Sequence, residues 1–238
     1  MKKKKGEFET IKFQKRRKSF YRYTNYLEKE KIPTQDILEH FSAYVGHMSL
    51  NRVLTLYEFF KMTRKTAGHI AEVGVYKGAG SILFAKLLKI FQSESLTQVH
   101  GFDWFNGASL GENDTKLTNN GDYKSNFYDL KQLIKKQNLK NIIKLHKLDI
   151  RKELEDFFKK NLHLQFRLVF LDAGQYEVMK KAIPAFWERL TPGGIMIFDH
   201  YSHELAPGEA IALREVFHDK KILTFENSWM PNAYVIKE

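Results

Sequence analysis

The spacing of apolar and polar positions changes along this chain and divides it into two parts. Before Gly68, apolar residues recur at helical spacing over 35–45 and 50–64, which predicts helices that pack beside the rest of the protein or cover it. After Gly68, short apolar runs alternate with helical stretches. The runs predict strands at 69–74, 98–103, 141–146, 167–172, 194–199, 222–225 and 232–237, and the intervening helices are predicted at 80–91, 124–138, 150–160, 175–190 and 206–217.

This alternation predicts an α/β domain with a mostly parallel, doubly wound sheet and helices on both faces. The last two predicted strands have no long helix between them, so we expect a hairpin that leaves an antiparallel strand at one edge. The sheet would then be seven-stranded, unlike the all-parallel sheet of dinucleotide-binding domains. We divide the chain into a basic N-terminal extension, a helical lid or packing segment and an α/β ligand-binding domain, at 1–30, 31–67 and 68–238.

Composition narrows the class of protein. The hydrophobic share is 43%, and no apolar run approaches the roughly 20 residues of a membrane span. No apolar segment follows the Met-Lys-Lys-Lys-Lys start, so we do not predict a secretory signal. The absence of cysteine excludes disulfides, thiolate catalysis and cysteine-bound metal centres. Together these features favour a cytoplasmic protein.

The net charge of +11 is concentrated at one end of the chain. Residues 1–18 contain nine Lys or Arg against two Glu, a net +7, and the other 220 residues carry only +4. A basic arm of this kind can hold RNA, an acidic membrane surface or a phosphorylated substrate. We favour a solvated, lysine-rich tail, because no recognised nucleic-acid-binding motif accompanies the arm.

One short segment carries the clearest ligand-binding pattern. Residues 69–81 read His-Ile-Ala-Glu-Val-Gly-Val-Tyr-Lys-Gly-Ala-Gly-Ser, which predicts a strand, a tight glycine turn and a helix that starts at Ser81. The glycines allow a sharp turn and the close approach of a ligand, and the first N–H groups of the helix favour an anionic group. A nucleotide-like ligand therefore suits this turn, although a purely structural turn has the same pattern.

Acidic residues follow the next two predicted strands. Asp103 ends the second strand, where a carboxylate can accept hydrogen bonds from both ribose hydroxyls of an adenosine ligand, or can cap a helix. Trp104 opens a polar loop that continues to Tyr123, a length typical of a lid or substrate loop. Asp149, followed by Ile150, is placed either to accept from an adenine amino group or to cap the next helix, and the sequence favours neither role.

The fourth and fifth predicted strands also end in polar residues. Asp172 follows the fourth strand, and Asp199 and His200 follow the fifth. Because neighbouring parallel strands end at the same edge of a sheet, these three side chains are expected to meet at the ligand-binding rim. Two carboxylates and an imidazole suit a divalent cation that would hold a substrate's adjacent hydroxyls. His203 is a candidate general base, or an ordinary loop histidine.

Several short motifs occur in one fixed order between about residues 50 and 238. They are Glu72-Val-Gly-Val-Tyr-Lys-Gly78, Asp103-Trp-Phe-Asn-Gly107, Gly121-Asp-Tyr123, Leu171-Asp-Ala-Gly-Gln-Tyr-Glu177, Pro192-Gly-Gly194, Phe198-Asp-His-Tyr201 and Pro207-Gly-Glu209. As an ordered set they resemble the macrocin O-methyltransferase family, class I S-adenosylmethionine-dependent enzymes that methylate sugar hydroxyls. The basic N-terminus lies outside the resemblance.

The resemblance implies a Rossmann-like class I methyltransferase fold and assigns roles to individual residues. A first group would bind S-adenosylmethionine: Glu72, Gly74, Gly78 and Ser81 at the methionine end, Asp103 and Trp104 at the ribose, Asp149 and Ile150 near the adenine, and Asp172 at the rim. Asp172 and Asp199, with His200, would hold Mg²⁺. Two departures weaken the metal assignment, since Gly174 stands where many relatives carry a second acid and His200 where an acid or Asn is common.

The resemblance therefore predicts O-methylation of a sugar or glycosylated small molecule, assisted by Mg²⁺ or, without a metal, by His200 or His203 acting directly as base with Asp172 beside them. Alternatives are a methyltransferase whose RNA or other polyanionic acceptor is held by residues 2–18, a nicotinamide-dependent oxidoreductase, and a non-catalytic binding module that keeps the fold. A nucleic-acid partner is disfavoured, and a homo-oligomer is compatible with helices packed outside the sheet.

Overall fold

The structure is a computed structural model, and it describes residues 14–115, 118–201, 203, 206–225 and 230–238; over 14–21 only the backbone is described. The basic residues 2–12 lie outside this part of the chain. The elements are α1 (Gln14–Lys29), α2 (Thr34–Glu39), α3 (Phe41–Tyr44), α4 (His47–Met62), β1 (His69–Val73), α5 (Ala79–Phe91), β2 (Val99–Asp103), α6 (Phe127–Lys136), β3 (Ile143–Lys147), α7 (Ile150–Lys160), β4 (Phe166–Leu171), α8 (Tyr176–Arg189), β5 (Leu190–Phe198), α9 (Pro207–Val216) and β6 (Ala233–Ile236).

The strands form one mixed sheet in the order β3-β2-β1-β4-β5-β6. The first five strands in this order are parallel to their neighbours, and β6 pairs with β5 in the antiparallel direction. The chain builds outward from β1 in one direction and from β4 in the other, so the order reverses between these two strands. In open α/β sheets, ligands bind in the crevice beyond the carboxyl ends of the strands at such a reversal.

The predicted antiparallel edge is confirmed, but the described residues form six strands rather than seven. The run predicted as a strand at 222–225 contributes a single bridge, in which Leu223 and Tyr234 exchange two backbone hydrogen bonds of 2.9 Å. The pairing stops one residue later, because the Thr224 hydroxyl, rather than a backbone N–H, donates to the carbonyl of Asn232. The edge of the sheet therefore ends in an isolated bridge.

Two apolar clusters cover the two faces of the sheet. One contains α7, α8 and α9, with Phe158 and Phe186 packed against β2 and β4. The other contains α4, α5 and α6, with Phe60 and Phe84 against β1 and β4. This arrangement confirms the predicted helices on both faces. The helix expected over 35–45 is instead broken into α2 and α3 at His40, and α4 starts at His47, three residues before the predicted start at 50.

No helix in the described part of the chain is both long enough and apolar enough to cross a membrane. The 16-residue helix α4 illustrates why, since it combines four buried residues with charged side chains on its remaining surface.

Candidate active site

A cavity of about 1040 Å³ opens at the carboxyl ends of the central strands. Its floor is formed by the residues that follow β1, β2, β3 and β4, and one wall is formed by the segment between α3 and α4 and by the start of α4. Ligand pockets for small molecules are commonly about 300–1,000 Å³. The volume therefore lies at the upper limit of the range for small-molecule sites.

The strand register explains why the predicted residues meet at this cavity. Val73 of β1 pairs with Phe102 of β2 on one side and with Leu171 of β4 on the other. Leu171 in turn pairs with Phe198 of β5. Since parallel strands in register end together, the residues that follow these four all emerge at one edge. They are Gly74, Asp103, Asp172 and Asp199.

Gly74 allows the backbone of β1 to turn against β4. Its φ is +91°, and a Cβ at this position would lie 2.3 Å from the carbonyl oxygen of Asp172. Only glycine tolerates both the left-handed backbone and this approach. The chain then passes through Gly78, whose φ is +82° and which is the N-cap of α5. This turn leaves the cavity floor open beside Gly74.

Glu72 holds the turn from inside the protein. Its carboxylate accepts hydrogen bonds from the backbone N–H of Ser81, at 2.6 Å, and from the Ser81 hydroxyl. Glu72 is 2% exposed, and burial raises its pKa to about 7, against the lowering effect of these two bonds. Gly80 provides the space, since a Cβ there would lie 2.1 Å from a Glu72 oxygen. Glu72 thereby ties β1 to the first turn of α5.

Asp103 joins the glycine turn to the end of β2. Its carboxylate accepts hydrogen bonds from the backbone N–H groups of Tyr76, at 2.9 Å, and Phe105, at 2.6 Å. Burial raises the pKa of Asp103, and backbone donors, Tyr76 first among them, act in the opposite direction. The carboxylate faces the cavity and is held in place by backbone donors rather than by a cation.

The loop after β2 and the start of α7 form the neighbouring wall. The indole N–H of Trp104 donates to the carbonyl of Gly107 at 2.6 Å, and the guanidinium of Arg151 lies 4.7 Å from the centre of the indole ring. Asp149 is the N-cap of α7 and accepts from the backbone N–H of Arg151 at 3.0 Å. It also pairs with the Arg151 side chain at 2.7 Å, and this hydrogen bonding lowers the pKa of Asp149. Asp149 therefore caps a helix and lines the cavity.

A charged cluster lies at the other end of the cavity, beyond β4 and β5. One carboxylate oxygen each of Asp172 and Asp199 and one ring nitrogen of His200 lie within 4.8 Å of one another, so the three residues meet as the sequence predicts. Arg52 of α4 reaches between the two carboxylates. Its Nη1 donates to Asp199 at 2.5 Å and its Nη2 donates to Asp172 at 2.6 Å. The Asp199 side chain is 1% exposed, which makes the guanidinium its charge partner in a nearly water-free place.

His200 extends this cluster toward α9. Its backbone N–H donates to the carboxylate of Glu209 at 2.7 Å, and its Nε2 lies 3.5 Å from Asp199. Burial lowers the pKa of His200 to about 4, so the imidazole is neutral near pH 7. Burial also raises the pKa of Glu209 well above its usual value. Gly174 faces the ring, since a Cβ there would lie 3.5 Å from Nδ1 of His200.

Eight of the predicted site residues line the cavity, and four do not. Gly78 and Ser81 shape the turn from behind, and His203 sits in the next loop, its backbone N–H donating to the carbonyl of His200 at 3.0 Å. Asp199 lies beneath the surface, in contact with Arg52. The predicted residues that line the cavity are Glu72, Gly74, Asp103, Trp104, Asp149, Ile150, Asp172 and His200.

Sequence reasoning missed Arg52, Arg151 and Glu209. Both Arg151 and Glu209 stand in the first turn of a predicted helix, Arg151 beside a predicted site residue and Glu209 within a quoted motif, and could have been selected on that basis. Arg52 carries no comparable signal. It is one of several charged residues in a helix predicted to pack beside the sheet or cover it, and its partners lie 120 and 147 residues further along the chain.

The chain was compared with known proteins. A family model described as "Methyltransferase domain" matches residues 71–201, which is more than half of the chain. In a search of curated proteins, no sequence matches. Solved structures do match. CalS11, titled a calicheamicin methyltransferase, superposes with a TM-score of 0.83 at 21% identity, covering 92% of this chain and 91% of that one.

Two further structures have the same fold. An apo structure of CalS11, titled TDP-rhamnose 3'-O-methyltransferase, has a TM-score of 0.75 and 22% identity and covers 92% of this chain and 93% of that one. The O-methyltransferase NovP has a TM-score of 0.65 and 16% identity and covers 79% of each chain. At these identities the likeness establishes the fold, and the narrower resemblance to macrocin O-methyltransferases stays a prediction. The family match over 71–201, on a sheet with this strand order and this cavity, shows that the chain belongs to the methyltransferase domain family and is a methyltransferase.

Proposed function

We propose that the protein transfers a methyl group from S-adenosylmethionine to a hydroxyl of a sugar or glycosylated small molecule. The observation that carries the proposal is a single cavity with two chemically different ends. One end has the glycine turn and Asp103, and the other has Arg52, Asp172 and His200. The structural neighbours CalS11 and NovP support the acceptor class, because their titles name O-methyltransferases and, for CalS11, a nucleotide sugar.

The residues at the first end fit an adenosine-containing cofactor. Asp103 presents a carboxylate to the cavity, fixed by two backbone donors, which suits the two ribose hydroxyls. Gly74 lines the cavity floor, and its missing Cβ lets β1 turn closely past the backbone of Asp172. Asp149 and Ile150 would face the adenine. Such a cofactor, when bound, supplies an electrophilic sulfonium methyl group, and the protein's own contribution is to align the acceptor and exclude water.

The second end can position an acceptor hydroxyl and take up its proton. His200 lines the cavity, and its Nε2 lies 3.5 Å from the carboxylate of Asp199, so by position it is the better candidate base. His203 lies one loop further on and does not line the cavity among the described residues. The positive charge of Arg52 at the wall favours negative charge that develops on the acceptor oxygen. Asp172, held by Arg52, would orient the hydroxyl.

The same residues do not fit the predicted Mg²⁺. Mg²⁺ prefers near-octahedral oxygen ligands and retains waters. Here the guanidinium of Arg52 already fills the space between the two carboxylates, the third donor is an imidazole, and Gly174 adds no oxygen. We therefore assign the metal no step in the reaction.

RNA and other polyanions are alternative acceptors, and the acceptor screen described below distinguishes them from sugars. An RNA or other polyanion would be held by residues 2–18, most of which lie outside the described part of the chain, so no contact favours it. A cytoplasmic location and a homo-oligomeric state stay predictions in the same way.

Calorimetric titration of S-adenosylhomocysteine tests the cofactor, and mass spectrometry of a panel of nucleotide sugars and glycosides tests the acceptor. We expect micromolar binding of S-adenosylhomocysteine and the gain of one methyl group on a sugar hydroxyl. NAD should give no heat under the same conditions. Failure to bind S-adenosylhomocysteine contradicts the proposal, and methylation of RNA with no sugar methylated replaces its acceptor.

A further inference from the structure

Arg52 bridges the two carboxylates that the sequence assigned to a metal. Each of its terminal nitrogens donates to a different aspartate, at 2.5 Å to Asp199 and 2.6 Å to Asp172. We propose that the Arg52 guanidinium is a built-in replacement for the divalent cation, so that methyl transfer in this protein requires no metal. The proposal rests on the proposed function for the reaction, but the site itself is tested without any substrate.

The shape of the guanidinium suits this bridge. Arginine presents its donors in a rigid planar fork that stays charged at any physiological pH, and it is less strongly hydrated than an ammonium group. Hydrogen bonds between a guanidinium and carboxylates are short and strong. The guanidinium of Arg52 also contacts the sheet, because its Cζ lies 5.3 Å from the centre of the Phe170 ring of β4. The guanidinium therefore reaches the carboxyl ends of β4 and β5 from helix α4.

Burial makes the exchange of Arg52 for a cation unfavourable. The Asp199 side chain is 1% exposed, Asp172 is 22% exposed and Arg52 is 28% exposed. A divalent cation beside the guanidinium would leave an excess of positive charge in this partly buried place, while displacement of the guanidinium would break both of its hydrogen bonds to the aspartates. Both alternatives are costly, because a buried charge needs a partner. The pair of aspartates is therefore already occupied.

The remaining neighbours fit an arginine better than a hard cation. Beside the two aspartates lie His200, a nitrogen donor, and Gly174, which has no side chain to offer; the carboxylate of Glu209 accepts from the backbone N–H of His200 and is not part of the three-residue cluster. Imidazole suits softer metals than Mg²⁺. Arg52 needs no third ligand, because its two nitrogens match the two carboxylates. It is a positioning residue, since it acts by fixing Asp172 and Asp199 and by setting the charge at the cavity wall.

The proposal predicts that removal of Arg52 creates a metal site. We would titrate Mn²⁺ into the full chain and follow binding by calorimetry and electron paramagnetic resonance. The wild type should show only weak, non-saturable Mn²⁺ binding. R52A should bind one Mn²⁺ in a saturable way, at least about tenfold more tightly than the weak binding seen in the wild type. The double variant R52A/D199N should lose this site. K61A, which removes an exposed positive charge from the same helix, should behave as the wild type.

Folding controls keep the test decisive. Thermal melting should show that Mn²⁺ stabilises R52A and leaves the wild type unchanged. R52Q carries the same test if R52A does not fold, and R52K, which retains the charge, should not gain a Mn²⁺ site. A wild-type Mn²⁺ site that D172N or D199N abolishes overturns the proposal, and so does an R52Q variant that folds without gaining one.

Activity supplies a second readout. With the acceptor found in the screen, wild-type turnover should stay within about twofold when EDTA replaces Mg²⁺. Loss of activity in EDTA that Mg²⁺ restores overturns the proposal. S-adenosylhomocysteine binding is measured on every variant, so failure of the methyltransferase assignment appears there and remains separate from the Mn²⁺ result.

Discussion

The two ends of the cavity are built in different ways. We name each end after its proposed role: the cofactor half is Glu72, Gly74 and Asp103 with the backbone around them, and the acceptor half is Arg52, Asp172, Asp199 and His200. In the cofactor half the bonded partners lie 9 and 27 residues apart in the chain. In the acceptor half Arg52 reaches partners 120 and 147 residues away. The first half follows from local sequence, whereas the second follows from topology.

The difference extends to how buried acids are satisfied. Glu72 and Asp103 accept from backbone N–H groups, which no substitution of a neighbouring side chain removes. Asp199 depends on the Arg52 side chain, which one substitution can delete. Apart from the glycines at 74 and 80, we therefore expect the cofactor half to tolerate side-chain changes in its surroundings and the acceptor half to be sensitive to single changes.

The largest expected effect is in the acceptor half. Asp199→Asn removes the buried charge that holds Arg52, and we expect turnover to fall by about 100- to 1,000-fold, the range seen when one preorganised electrostatic group is lost from an active site. Steady-state kinetics on the identified acceptor measures the loss. Calorimetry should show S-adenosylhomocysteine affinity within about twofold of the wild type. A parallel loss of affinity would mean that the two halves are not independent.

The reciprocal change in the cofactor half should be smaller and of a different kind. Asp103→Asn removes a charged acceptor, and hydrogen bonds to charged groups contribute about 1.5–3 kcal/mol, or roughly 10- to 100-fold in affinity. We expect weaker S-adenosylhomocysteine binding, with turnover largely restored at saturating S-adenosylmethionine. Leu133→Ala, an exposed change on α6, is the matched control. Unchanged affinity in Asp103→Asn contradicts the ribose assignment.

A pH experiment separates stability from chemistry, because it addresses two histidines of β2 and β3 that do not line the cavity. His100 Nδ1 and His146 Nε2 lie 3.0 Å apart, and burial lowers the pKa of His100 to about 3 and of His146 to about 4. Both values lie below the unfolded value of about 6.5. Their stabilising contribution is therefore complete above pH 6.5 and is lost as the pH falls toward 4.

His146→Phe should reduce this acid sensitivity. Urea unfolding at pH 7 and pH 5 should show that the variant loses about 1 kcal/mol less stability than the wild type over this interval, after allowance for the partial exposure of the ring. His218 is exposed and lies two residues after the end of α9, so His218→Phe is the control. An identical pH slope in wild type and His146→Phe would remove the histidine pair as the cause.

The smallest effect is expected for the basic arm. Deletion of residues 2–12 leaves α1, which begins at Gln14, and we expect S-adenosylhomocysteine affinity and turnover on a small acceptor to change by less than about twofold. The same kinetic and calorimetric assays report the result. A loss above about tenfold would favour the polyanionic acceptor and would extend the acceptor half to the arm.

Much of the cofactor half could be predicted because its signals are short. The alternation of apolar runs and helices gave the strand directions and the antiparallel edge, and the motif over 69–81 gave the turn that Gly74 and Gly78 make. The strand predicted at 222–225 is reduced to a single bridge, because the Thr224 hydroxyl donates to the carbonyl of Asn232 and the backbone pairing ends there. The pattern of apolar and polar residues does not show that a side-chain hydroxyl will replace a backbone N–H as the donor.

The sequence by itself determined the fold class, the glycine turn and the acids at the strand ends, since each depends on residues close together in the chain. Only the tertiary structure decided what faces those acids. The register of Leu171 with Phe198 brings Asp172 beside Asp199, and the packing of α4 over the sheet brings Arg52 between them. The contacts of Arg52 join segments more than 100 residues apart, so no local pattern encodes them. They form only when the sheet and its covering helix have assembled.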